Sequence, residues 1–130
     1  MTSDFKKEER IVSQKLIDQL FSGNGSQSLA AFPIRVVYLV KERTCETDPA
    51  AQLLISVSKR RFKHAVDRNR VKRQLREAWR HNRQLLTQFV PAGQVVCLAM
   101  LWLSDCHCAS SDIEKRMQGL LTRIAKKVSE

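Results

Sequence analysis

Apolar side chains recur at helical spacing near the start of the chain, at Leu16, Ile17, Leu20 and Phe21. Ser13 is placed to cap a short helix there and Gly23 to stop it. Asn24 to Ser28 is polar and rich in turn-tolerant residues, which predicts a loop. The period then changes. Ile34 to Val40, after Pro33, is a β-branched run of strand length, and Leu53, Ile55 and Val57 alternate with Leu54, Ser56 and Ser58 in an amphipathic strand. Between them, Thr44 to Ala51 with Asp48-Pro49 predicts the turn of a hairpin.

From about Ala65 to Leu86 the helical period returns, with Val71, Leu75, Ala78, Leu85 and Leu86 in one sector. Pro91-Ala92-Gly93 interrupts it, and Gln94 to Leu103 is apolar enough for a central strand buried on both faces. A last helix is expected to open with Ser111-Asp112-Ile113-Glu114, the pattern of a capping box, and to bury Ile113, Met117, Leu120, Leu121, Ile124 and Val128. These elements predict an α+β chain of αβββαβα order or a close variant, without internal repeat, low-complexity segment or linker. At 130 residues it has the size of a single domain, with the first ten or so residues, Met1 to Arg10, expected to be frayed.

Charge changes the picture through its location. The formal net charge is +10, yet Lys59 to Arg83 alone holds eleven basic residues against two acids, Asp67 and Glu77, and elsewhere the charges nearly balance. Eight of the eleven are Arg, whose planar fork binds phosphate through paired hydrogen bonds. On the wheel of the central helix Asn69, Lys72, Arg73, Arg76, Arg80 and Arg83 fall opposite the apolar sector, so seating the apolar stripe turns a basic one outward. A stripe of one sign repels itself without a polyanion, which points to nucleic acid. With 43% apolar residues spread along the chain, a disordered polycation is excluded.

Other chemistry finds little support. No apolar run reaches a membrane span and the charged start lacks a signal-peptide core, so a soluble cytoplasmic protein is expected. Cys45, Cys97, Cys106 and Cys108 are then expected as reduced thiols, Cys97 within the core. Cys106-His107-Cys108 lacks the CxxC spacing of a structural zinc site, and no protein-held metal is expected. His64, His81 and His107 are scattered, the acids are dispersed, and no phosphate-cradling glycine pattern occurs, so no residue of this chain is expected to be catalytic. Strands flanking the basic helix disfavour a helix-turn-helix DNA binder. Composition alone leaves a structural RNA-binding protein open.

The run Ser56-Val57-Ser58-Lys59-Arg60-Arg61-Phe62-Lys63-His64-Ala65-Val66-Asp67-Arg68-Asn69-Arg70-Val71-Lys72-Arg73-Gln74-Leu75-Arg76-Glu77-Ala78-Trp79-Arg80 resembles the signature of the bacterial ribonuclease P protein family, an Arg-Asn-Arg helix after a Ser-Val-Ser-Lys strand. The resemblance implies a ribosomal protein S5 domain 2-like α+β fold with a left-handed βαβ crossover. It implies that Lys59, Arg60, Arg61, Lys63, Arg68, Asn69, Arg70, Lys72, Arg73, Arg76 and Arg80 bind the ribonuclease P RNA. By the same resemblance, Phe21 and Tyr38, with Ile17 beside them, would line a cleft for the single-stranded 5′ leader of precursor tRNA. Cleavage would be the work of the RNA with Mg²⁺, and no obligate protein partner is implied. The chain departs from the family pattern at Ile17, where an aromatic is frequent, at Leu54, where Gly is common, and at Met100, near a position often basic.

Overall fold

The structure, a computed structural model, describes residues 14–22, 25–42 and 49–129. The expected frayed start, the Ser13 cap, the Gly23 stop, Cys45 and most of the turn before Pro49 lie outside the described residues. Within them the order is α1 (Gln14–Ser22), β1 (Gln27–Ala31), β2 (Ile34–Glu42), β3 (Ala51–Ser56), α2 (Ala65–Asn82), α3 (Gln84–Thr87), β4 (Gln94–Trp102) and α4 (Ser110–Val128). The expected α+β order is present, with α3 in addition.

One sheet runs β1-β2-β4-β3. β1 and β2 form a hairpin through Phe32-Pro33, β2 and β4 are antiparallel, and β3 lies parallel to β4. Two expectations are corrected here. The first is the hairpin of β2 with β3: β4 sits between them, because seven of its nine residues are buried and only a central position covers both of its faces. The second is the loop reading of Asn24 to Ser28, since Gln27 and Ser28 belong to β1. β1 is an edge strand with only Leu29 buried, so its polar side chains stay in water.

The two-residue period of β2 divides the interior into two layers. Ile34, Val36 and Tyr38 face a large core with Val71, Leu75 and Trp79 of α2 and Met117, Leu120, Leu121 and Ile124 of α4. Val37 and Leu39 face the other way and join Val95, Cys97 and Ala99 of β4 beneath Leu20, with Ile17 against them. Thus α1 covers one face of the sheet and α2 with α4 the other.

The central helix is shorter than its periodicity predicts, ending at Asn82 before α3 begins at Gln84. Asn82 is buried; its amide donates to Ala78 O (2.8 Å) and its carbonyl accepts from Gln118 (3.2 Å). Leu85 and Leu86 still reach the same core from α3. The capping box expected at Ser111 is not formed. The cap of α4 is Ala109, two residues earlier and without a side-chain bond, and Glu114 instead meets His81 Nδ1 at 2.7 Å and accepts from Asn82 at 3.4 Å. A tertiary tie between α2 and α4 has taken the carboxylate that local pattern assigned to the helix end. Val128 is only partly buried.

Cys97, fully buried, has its thiol pushed up to about 11 by burial, with Lys41 pulling slightly the other way. A raised value leaves less thiolate at any lower pH. Near pH of about 8.5, where an ordinary thiol is half ionised, Cys97 is expected to resist iodoacetamide while exposed Cys106 reacts. Mass spectrometry before and after denaturation checks this; equal rates in the folded chain would contradict the burial. No helix among the described residues is long and apolar enough to cross a membrane.

Candidate nucleic-acid interface

The basic segment is built from the sheet edge outward. Val57 and Phe62 are buried and hold down the turn after β3, which closes through Arg61 N–H and Phe62 N–H donating to Ser58 O at 3.1 and 3.3 Å. Arg68 Nη1 donates to the carbonyls of Phe62 and Lys63, both at 3.0 Å, tying the turn to the first turn of α2. Lys59, Arg60 and Lys63 are thereby presented at the N-terminus of α2 as exposed side chains.

Along α2, Val71, Leu75, Ala78 and Trp79 seat on the sheet, and Asn69, Arg70, Arg73 and Arg76 are exposed with Lys72 half-buried among them. None of the four cations has an ion-pair partner among the described residues. Both acids of the segment are turned to other work. Asp67 Oδ1 meets His107 Nε2 at 3.1 Å, and the His107 ring stacks on Phe62 at 4.6 Å. Glu77 accepts from Arg80 Nε and Nη2 at 2.9 and 2.7 Å. The exposed cations are therefore left uncompensated, which is the state a phosphate backbone neutralises.

The residues expected at an RNA contact divide accordingly. Lys59, Arg60, Lys63, Asn69, Arg70, Arg73 and Arg76 are exposed on α2 and the turn before it, with Lys72 half-buried. Arg68 is partly committed to the turn, Arg80 to Glu77, and Arg61 reaches Asp105 at 3.5 Å. Sequence reading missed His107, whose loop holds the start of α2 through Asp67 and Phe62. Nothing local could signal a partner 40 residues away.

The aromatic side of the site is split by the sheet. Phe21 is half-exposed and borders a cavity of about 190 Å³ with Leu20, Ser28, Arg35 and Val37. Ile17 packs against the second core and does not line that cavity. Tyr38 is corrected: it lies on the opposite face, 3% exposed in the main core, with its hydroxyl donating to Gln27 Oε1 at 3.0 Å. Its ring therefore offers no π-face to a base beside Phe21. Burial also holds the Tyr38 hydroxyl above its ordinary range. Leu54 sits half-buried on the α1 side and Met100 is fully buried under the helices, so neither presents a polar group.

Arg35 was not expected here, although a lone charge inside an apolar strand was its signal. It is exposed, and its Nε donates to Ser28 Oγ at 3.0 Å. The strand register pairs Arg35 with Leu101 and Leu101 with Ser56, all on the α1 side of the sheet. This row leads from the Phe21 cavity to a second one of about 400 Å³ lined by Ser56, Ser58, Arg60, Arg61 and Trp102. The buried Trp102 indole N–H has no partner among the described residues. Neighbouring strands are about 4.8 Å apart, so the row gives a short track of aromatic, cationic and hydroxyl groups ending at the basic turn.

Among the described residues no three His, Cys, Asp or Glu side chains are grouped to hold a metal ion. Cys106 is exposed and Cys108 half-buried, both as free thiols.

A family model for ribonuclease P matches residues 5–125. The ribonuclease P protein component of Porphyromonas gingivalis is 36% identical over 128 residues, covering 98% of this chain and 90% of that one. Among solved structures, the RNase P protein from Thermotoga maritima shares the fold at a TM-score of 0.66 and 20% identity, over 89% of this chain and 97% of that one. A Staphylococcus aureus RNase P protein mutant does so at 0.66 and 20%, over 92% and 90%. An arginine-lined helix with most of its cations unpaired among the described residues, on this four-stranded sheet and with this extent of sequence identity, has one family to answer to: the chain belongs to the ribonuclease P protein family.

Proposed function

We propose that this chain acts as the protein subunit of a ribonuclease P holoenzyme, binding the catalytic RNA and the 5′ leader of precursor tRNA during removal of that leader. One observation carries the reading: the uncompensated cations of α2 and its preceding turn, whose two acids are taken by His107 and by Arg80 alone. Arg70, Lys72, Arg73 and Arg76, with Lys59, Arg60 and Lys63, would neutralise phosphates of the RNA subunit, and Asn69 would add an amide for a phosphate or 2′-hydroxyl. Family membership supports the partner.

The leader would enter over Phe21, which stacks a base without reading its identity, and pass Arg35 and Ser56 toward Arg60. Tyr38 has no part in this path. Mg²⁺ bound by the RNA would supply the activated water for hydrolysis. The chain's own part would be to bind and orient two RNAs through the cations of α2 and its preceding turn. A cytoplasmic location fits that work.

The test is single-turnover cleavage of precursor tRNA at low Mg²⁺ by the cognate RNA, with and without the protein, and by the protein alone. Cleavage at the mature 5′ end should require the RNA and rise with the protein. An RNA activity indifferent to the protein would transfer the basic helix to another RNA; cleavage by the protein alone would make it a nuclease.

Replacing Phe21 by Ala should weaken binding of precursor tRNA fivefold or more while sparing mature tRNA, since base stacking is worth about 1–3 kcal/mol per base. Equal losses for both ligands would mean damage to the core instead.

A further inference from the structure

We infer that α4 carries a second RNA-binding face, suited to a single-stranded RNA segment and separate from the α2 stripe. From Lys115 to Lys127 the helix holds Lys115, Arg116, Arg123, Lys126 and Lys127 and no acid. All five side chains are exposed, and none has an ion-pair partner among the described residues. At about 100° per residue the five fall in a sector of about 120° with Gly119 near its middle. A cation near a helix C-terminus is favoured by the helix dipole, which accounts for Lys126 and Lys127. It does not account for Lys115, Arg116 and Arg123, nor for the missing acids.

The side chains that tie α4 to α2 are Glu114 and Gln118, which lie outside this sector. The two basic faces therefore look away from each other, and one strand of RNA on α2 leaves α4 open for another.

Exposed aromatics flank the stripe at both ends. Phe32, at the β1–β2 turn, is 65% exposed, and Arg116 Nε donates to its carbonyl at 2.9 Å. At the far end, Phe89 is 50% exposed beside a cavity of about 480 Å³, also bordered by Leu85, Thr122, Ala125 and Lys126. An apolar recess with an aromatic wall and a cation at its rim suits a nucleobase and its phosphate. Arg116 to Lys127 spans about 16 Å of helix, enough for several phosphates. Cations between stacking platforms fit an unpaired strand, whose bases are free to stack. A lipid surface would leave the aromatics at the two ends without base partners.

The inference does not rest on the α2 reading and is tested apart from it. The full chain and its Lys115→Gln/Arg123→Gln/Lys126→Gln/Lys127→Gln variant are titrated against labelled oligouridylate across a range of KCl, by fluorescence anisotropy. Arg116 is kept because of its bond to Phe32. The slope of log affinity against log salt should fall by up to about three, at about 0.7 per phosphate contact on a single strand.

Gly119 provides a second, gentler probe, because a Cβ there meets nothing within 4 Å. Gly119→Asp sets a carboxylate amid the cations and should weaken oligouridylate binding several-fold, whereas Gly119→Ala should not. The same loss should appear in an Arg73→Ala/Arg76→Ala background, so failure of the α2 reading would not mask this one. An unchanged salt slope with equal behaviour of the two Gly119 variants overturns the inference. So does a loss confined to phosphatidylglycerol vesicles. Precursor-tRNA cleavage by the assembled enzyme then identifies the source. Slower cleavage by the α4 variant places the strand inside the holoenzyme, and unchanged cleavage places it in another RNA; both keep the face.

Discussion

Exchanging Arg73 and Arg76 together for alanine is expected to weaken binding to ribonuclease P RNA about thirtyfold, at roughly 1 kcal/mol per lost phosphate contact. The slope of log affinity against log salt should flatten by about two, because each neutralised phosphate contributes nearly one. Both side chains are exposed and have no ion-pair partner among the described residues, so folding has nothing to lose with them. Alanine is also the better helix former. Loss of affinity with an unaltered thermal midpoint is the signature of a surface contact. Filter binding over a range of monovalent salt reads the slope, and a slope equal to that of the parent would remove this face from the RNA contact.

Arg68 is a poorer choice for the same purpose. Its guanidinium holds the carbonyls of Phe62 and Lys63, so its removal also frees the turn that presents Lys59 and Arg60. A weakened RNA complex in Arg68→Ala would combine a lost phosphate contact with a lost scaffold.

Trp79→Ala should have the largest effect on stability. Trp79 is fully buried on the underside of the basic helix, in the same core as Leu75, Leu98 and Met117. Truncating a buried Trp costs about 3–5 kcal/mol through lost transfer energy and an unfilled cavity. Domains are stable by only about 5–15 kcal/mol, so a large part of the folded population is at stake. Urea denaturation measures the change. At temperatures where the variant remains folded, it should still bind RNA, since the cations lie on the other side of the helix. A loss below about 0.5 kcal/mol, the ordinary range of a surface change, would mean that Trp79 does not seat α2 on the sheet.

Periods of two and 3.6 residues are local properties, and they were enough to place the long elements: the strands at Ile34 and Gln94, the helix at Ala65 and the C-terminal helix. The same wheel that buries Val71, Leu75 and Ala78 must expose Arg73 and Arg76, so the basic face was legible with the helix. The Ser56-to-Arg80 run carried the family.

What the sequence left open are relations between elements. Alternation in β3 says which residues face inward but not which strand lies beside it, and β4 took the place expected for β2 because its two apolar faces both needed cover. Glu114 had a plausible local use in a cap, yet His81 and Asn82, more than thirty positions earlier in the chain, engage it instead. Tyr38 and Phe21 were expected to share a cleft, but the pleat sends Tyr38 to the face opposite α1. Arg35 joined the Phe21 cavity only through strand register. Hydrophobic period and charge count reside in the chain itself; which face a strand turns to which neighbour, and which acid is withdrawn from which cation, are settled only when distant segments compete for the same burial.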